Sequence, residues 1–324
     1  MAGYSENQSM KRLIVLLLGF FAAGISQAQY PSKPVKVVIP FPPGGPTDVV
    51  GRLLAQKLTE QTGQNFLIEN RAGGNATIGS NEVARSATDG YTLLFNASIF
   101  SITPFLSQSV PYDVQKDFTT IALVAKGPLA VAISNAVPVR DVKEPIAYAK
   151  ASAGKLAFAI GSVGSAGHLG TELLKRTAGI EVLIVPYKGS TPAYQDLLGG
   201  QIQGFLDPVL GAQPHWKSGK IRVLAVSSLK RLPSAQETPV VAETLPGYEF
   251  YTWYGLWGPA GLPRDILARL NGEVNKALGS DLRDKLLAQG YELSPGSPED
   301  FARFQREDMA RSGKIISDAG IKVE

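Results

Sequence analysis

From Val35 to about Val226, short apolar runs alternate with stretches of helical periodicity, and this limits the possible folds more than any other feature. The runs predict strands over 35–41, 66–69, 91–95, 121–125, 129–133, 156–160, 182–186, 204–206 and 221–226. Between them the spacing predicts helices over 46–62, 78–86, 142–151, 165–178, 192–198 and 209–218. Strands alternating with helices imply mostly parallel sheets covered on both faces, an α/β architecture. Beyond Pro263 the pattern turns helical, over 263–278, 281–289 and 298–316, the last opened by Ser297-Pro298-Glu299-Asp300. Two breaks read as crossings between lobes: Ala125-Lys126-Gly127-Pro128, and the Gly-, Pro- and aromatic-rich run 245–263. The simplest account is lobe 1 from 29–126 plus 248–324, lobe 2 from 127–247, and a hinged cleft between them.

The first residues read as a removable address. Lys11 and Arg12 precede an uncharged apolar run from Leu13 to Ile25, and Ser26-Gln27-Ala28 resembles a small-x-small cleavage site. That run is shorter than the roughly 20 residues that span a bilayer. A signal peptide over 1–28, cleaved after Ala28, is therefore expected, with Met10 as an alternative start. The 324-residue chain has no cysteine, which excludes a lipobox thiol, disulfides, thiol nucleophiles and Cys-ligated metals. A net charge of only +4, spread evenly, leaves no footprint for nucleic acid.

Within the alternating region, three strands feed helices through glycine-rich loops. The first is Val37–Arg52, VVIPFPPGGPTDVVGR, where Gly44 and Gly45 precede Pro46 at a first helical position. The second is Ile160–Gly170, IGSVGSAGHLG, with Ser165 as a cap and Ser162 and Ser165 as hydroxyls. The third is Val185–Ala193, VPYKGSTPA, with Thr191 as cap and Pro192 first in the helix. Helix N-termini attract anions, and ligands in α/β sheets sit outside the carboxyl ends of strands. Three such starts around one cleft would suit a carboxylate without a buried arginine.

Other polar residues carry two readings each. Asn96 and Ser98 follow a strand and are candidates for ligand contacts. Asp207 ends a strand, where it accepts from a ligand ammonium or hydroxyl or else caps the next turn. Asp48, in a first helical turn, reads as a brace for its loop. His168 reads as a packed histidine, or as a base if Ser165 were a hydrolytic nucleophile. The sequence Val163-Gly164-Ser165-Ala166-Gly167 lacks the first glycine of a nucleophile elbow. His215, the other of two histidines, reads as structural, and Lys188 as a solvated loop charge or a ligand contact. No nucleotide-binding fingerprint and no cluster with metal-ligand spacing is present. No cofactor and no metal are expected.

The blocks PFPPGGPTDVVGRLLAQKL (Pro40–Leu58), GQNFLIENRAGGNATIG (Gly63–Gly79), DGYTLLF (Asp89–Phe95) and GSVGSAGHL (Gly161–Leu169) are recognisable. So are PYKGSTPAYQDLLGGQI (Pro186–Ile202), Asp207 and the Trp257–Pro263 turn. Together they resemble the Bug family of periplasmic solute receptors, the binding component of tripartite tricarboxylate transporters. The resemblance implies a two-lobed, type II-like periplasmic binding protein that holds a carboxylate partly through water. Carried over by position, it implies contacts from Phe41, Pro43, Gly44 and Gly45 on one lobe. On the other it implies Ser162, Gly164, Ser165, His168, Tyr187, Lys188, Gly189, Ser190 and Asp207. It further implies delivery of a di- or tricarboxylate, amino acid or aromatic acid to integral-membrane transporter subunits, by a monomer that is not an enzyme. A receptor that signals to a membrane partner would read the same. Asn75-Ala76-Thr77-Ile78 is bulkier and more polar than the family's small residues before the isoleucine and is expected to alter the distal pocket, and Phe100, next to Asn96–Ser98, is expected to narrow it.

Overall fold

The structure, a computed structural model, describes residues 30–107, 109–138, 147–148, 150 and 154–321. The leader and most of the helix expected over 142–151 lie outside them. The alternation is realised in β1 (Val35–Ile39), α1 (Pro46–Thr62), β2 (Phe66–Asn70), α2 (Thr77–Ala84) and β3 (Thr92–Ala97). A short α3 (Ile99–Ile102) follows, then β4 (Phe118–Ser134). The second half brings β5 (Ala157–Ile160), α4 (Ala166–Ala178), β6 (Leu183–Pro186), α5 (Ser190–Leu198) and β7 (Gly204–Pro208). It continues with α6 (Val209–Lys217), β8 (Ile221–Val226) and β9 (Tyr251–Pro259). The chain ends with α7 (Arg264–Leu278), α8 (Asp281–Leu287), β10 (Glu292–Leu293) and α9 (Pro298–Ala319).

Local chemistry explains the helix limits. Pro46 opens α1 behind Gly45, and Gly63 ends it in a left-handed conformation, its N–H bonded to the Thr59 carbonyl at 3.0 Å. Ser297 and Asp300 form the reciprocal capping box of α9. In α5 the helix starts at Ser190, two residues before the expected Pro192. Gly189, at φ 104, supplies the turn that Thr191 was expected to cap.

The strands order as β2-β1-β3-β9-β4-β7-β5-β6, with β8 and β10 also on β4. Parallel pairs join β1 to β2 and β3, and β5 to β6 and β7, where βαβ units build the sheet. Antiparallel pairs follow β4 and β9, so both sheets are mixed. The runs expected as two strands, 121–125 and 129–133, are one 17-residue strand. Gly127 and Pro128 stay extended because they pair with Thr252 and Tyr251 of β9. The Tyr291 ring fills the space a Cβ on Gly127 would take. From Phe118 to Pro128, β4 pairs with β9; from Leu129 onward it pairs with β7 and β8. The chain therefore changes sheets within a single strand.

Strand β9 lies in the stretch expected as an irregular crossing, and eight of its nine residues are buried. Trp253 and Trp257 pack against Phe301, and their indole N–H groups donate to Asp308 and Gln305, both at 2.8 Å. Helix α9 thus seals this face of the first sheet, while also touching α3 and α4. Helices α5 and α6 cover one face of the second sheet through Tyr194, Leu197, Phe205 and Ala212. These layers hold the carboxyl ends of β1, β3, β5, β6 and β7 around one space.

Candidate functional site

That space is a cavity lined by residues from every strand end just named. The β1–α1 loop gives Phe41, Pro42, Gly45, Pro46 and Thr47, and the end of β3 gives Ala97, Ser98 and Ile99. The second glycine loop gives Gly161, Ser162, Ser165, Ala166 and Gly167; the third gives Gly189, Ser190 and Thr191. Asp207 and Pro208 end β7, and Thr252 and Tyr254 come from β9. Helices α1, α4 and α5 all begin here. Their opening N–H groups have no partner within the helix, and their dipoles favour negative charge.

Each loop is fixed from within. Asp48, 2% exposed, accepts from the Gly44 N–H, Arg52 Nε and Asn70 Nδ2, at 2.9, 2.9 and 2.8 Å. Asn70 also donates to the Phe41 carbonyl at 3.0 Å, so β2 steadies the loop. Burial alone would raise the Asp48 pKa; hydrogen bonds from Arg52, Gly44 and Asn70 and the Arg52 charge outweigh it and leave it lowered. In the second loop, Ser165 Oγ caps α4 by accepting from the His168 N–H at 3.2 Å. His168 Nδ1 accepts from the Gly164 N–H at 3.0 Å. Burial lowers its pKa, which keeps the ring neutral. A Cβ on Gly167 would overlap the Leu206 carbonyl oxygen, so glycine there lets α4 lie directly on β7. Asn75, left-handed at φ 54 and ψ 47, donates to the Val163 carbonyl at 2.6 Å and ties the segment before α2 to this loop.

Two buried polar atoms of the cavity wall have no hydrogen-bond partner. Ser98 is 2% exposed and its Oγ is unpaired. Asp207 is 4% exposed; its Oδ1 accepts from Ser190 Oγ at 2.8 Å while Oδ2 is unpaired. Burial pushes the Asp207 carboxyl up to about 7, against the opposing Ser190 and Tyr194 hydroxyls. Buried polar groups are normally satisfied, so these two side chains are the least satisfied on the wall among the described residues.

Of the expected contacts, Phe41, Gly45, Ser98, Ser162, Ser165, Gly189, Ser190 and Asp207 come together on this wall. The others do not. Pro43 and Lys188 are exposed, and the Gly44 N–H is committed to Asp48. Asn96 is wholly buried on the opposite side of β3 from Ala97, its amide on Ser80 Oγ at 3.2 Å, because strand side chains alternate. Gly164 and His168 hold each other as described. The Tyr187 hydroxyl donates to Asp196 at 2.6 Å. Phe100 packs with Tyr112, Phe118 and Trp257 in the core, and the Asn75–Ile78 segment does not line the cavity. The signal that could have found Thr252 and Tyr254 was the alternation within YTWYGL, which places both on one face of a strand. Among the described residues no group of three or more His, Asp or Glu could hold a metal ion, and no helix is long and apolar enough to cross a membrane.

Two mixed sheets sharing a long strand, with a cavity at the strand ends, follow the plan of two-domain periplasmic binding proteins, as similar solved structures show. Residues 50–321 match the tripartite tricarboxylate transporter family receptor, and the chain belongs to that family. Among solved structures it is similar to R. palustris Rpa4515 with adipate: 37% identity, 90% of this chain and 99% of that one, TM-score 0.88. It is likewise similar to the periplasmic binding protein BugD, at 32% identity over 91% of this chain and 100% of that one, TM-score 0.86. MatC from Rhodopseudomonas palustris with bound malate is 31% identical over 89% of this chain and 100% of that one, TM-score 0.82.

Proposed function

We propose that the protein captures a small carboxylate between two lobes, 29–126 plus 248–324 and 127–247, and delivers it to an integral-membrane transporter. The carrying observation is the wall itself: three helix N-termini converge on one cavity that no lysine or arginine lines among the described residues. The handover of β4 between sheets after Pro128 supports the lobe division. Relatives holding adipate and malate favour a dicarboxylate. The contacts are assigned to Phe41, Gly45, Ser98, Ser162, Ser165, Gly189, Ser190 and Asp207. The role is binding without catalysis, because Ser165 serves as a cap and His168 as a loop brace. Residues 1–28 export the chain and are removed after Ala28, and the receptor acts as a monomer.

A thermal-shift screen over mono-, di- and tricarboxylates, amino acids and aromatic acids tests this on protein freed of co-purified ligand. A true ligand at 100 times Kd adds roughly 2.7 kcal/mol of stability. A flat response to every acid overturns the proposal. Mass analysis of the exported protein, starting at Gln29, checks the leader.

A further inference from the structure

Resting on the carboxylate reading above, we propose that Asp207 makes capture proton-linked: its carboxyl is protonated in the complex, so that the charge of the ligand meets a neutral wall. One proton passes from solvent to Asp207 for each dianion bound, and no other bond changes.

The geometry leaves an ionised Asp207 with little support. Its Oδ1 has one neutral donor, Ser190 Oγ, and Oδ2 is inaccessible to solvent beside Gly211 and Tyr194. From α5 the Tyr194 hydroxyl, also neutral, opposes the upward push on Asp207 without outweighing burial. Tyr254 of β9 and Tyr291 ahead of β10 feel the Asp207 charge, and burial with that charge holds the pKa of Tyr194, Tyr254 and Tyr291 above the ordinary tyrosine range. From α6, Gly211 presents no side chain, and His215 stays against the far ring of Tyr194, 4.9 Å between centroids. From β4 the register partner is Ala130. From α4, His168 is turned to Gly164; from α1, Asp48 is turned to Arg52 and Asn70. No lysine or arginine lines this wall among the described residues.

A dianion entering such a wall meets attractive helix starts and one repulsive carboxylate. Protonating Asp207 removes both the repulsion and the cost of a buried charge that has only neutral neighbours. The upward push on its titration brings that change into the neutral range. The proton therefore sorts ligands: a carboxylate distal group requires it, whereas an ammonium in the same place would require its absence.

Isothermal titration with adipate and malate between pH 6.5 and 9, where both are ionised, tests the proposal. Each pH is run in two buffers of different ionisation enthalpy, which counts protons. The expected result is uptake approaching one proton at the alkaline end, with Kd rising about tenfold per pH unit there. Asp207→Asn, a neutral isostere, should bind without uptake and with a flat pH profile. Binding by the wild type without uptake overturns the proton linkage but leaves the carboxylate reading intact. So does a pH slope that persists in Asp207→Asn. If neither acid nor any other carboxylate binds the wild type, the carboxylate reading itself falls, and the linkage with it. Should the variant lose its fold, the wild-type proton count decides alone.

Discussion

Asp48 and Asp207 are both carboxylates buried at elements that build the same cavity, yet their surroundings push them opposite ways. Asp48 has an arginine, an amide and a backbone N–H, and its pKa is lowered. Asp207 has only neutral hydroxyls, those of Ser190 and Tyr194, and burial carries it up to about 7. Depth is therefore a poor guide to charge; the donors within reach decide it. The contrast also separates roles. A carboxylate whose acceptors are filled by charged and amide donors shapes a loop, and one with only hydroxyls beside it takes up a proton more readily.

The sharpest way to break this contrast is Asp48→Ala. It leaves Arg52, Asn70 and the Gly44 N–H without their acceptor and should cost about 2–4 kcal/mol in denaturant unfolding at pH 7. A loss below about 1 kcal/mol would mean that the brace is redundant. Next comes Asp207→Asn, with the opposite sign. The folded state keeps a proton that the unfolded state releases above its ordinary value near 3.8. Wild-type stability should thus fall as pH rises from about 4 to 7, by at most ~1.4 kcal/mol per unit. The asparagine variant should lack that decline and be about 1–3 kcal/mol more stable at pH 8. Asp48 contributes the reverse slope: its stabilisation is present above the unfolded value and lost as pH falls through the lowered one.

Two smaller changes sharpen the comparison. Ser190→Ala removes the hydrogen bond to Asp207 Oδ1 and should raise its titration further, at a stability change of about 0.5–1.5 kcal/mol. Carbon-detected NMR of the Asp207 carboxyl reads that shift directly; an unmoved midpoint would refute the role of the hydroxyl. His168→Gln tests a neutral brace against the charged one of Asp48. Because burial lowers the His168 pKa, its contribution is full above about 6.5 and declines as pH falls below it. The variant should cost about 1 kcal/mol at pH 7.5 and shed part of the acid sensitivity seen in pH-dependent melts.

Most of the scaffold was legible in the sequence. Local signals are strong where a strand ends in glycine and a helix begins at proline or serine, which is why α1 is found with its observed bounds and α4 within a residue. They fail where pairing overrides composition. Gly127 and Pro128 look like a break, but the partner strand β9 keeps them extended, and β9 is itself disguised by its glycines, proline and aromatics. The site was half legible. Loop positions followed from the motif, but side-chain direction did not. Nothing local says that Asn96 faces Ser80, that His168 folds back on Gly164, or that Tyr187 turns to Asp196. Those outcomes depend on which turn or neighbouring element each side chain meets, 4, 9 or 16 residues away, and composition does not give that.

The meeting of three helix starts has a consequence for how such a receptor changes over generations. Main-chain N–H groups belong to every residue except proline, so a substitution in the loops alters contour without erasing the donors. Ligand preference is then free to drift through the remaining wall, at positions such as Ser98, Asp207, Thr252 and Tyr254. A lineage built on this plan inherits its main-chain donors and renegotiates only the rest.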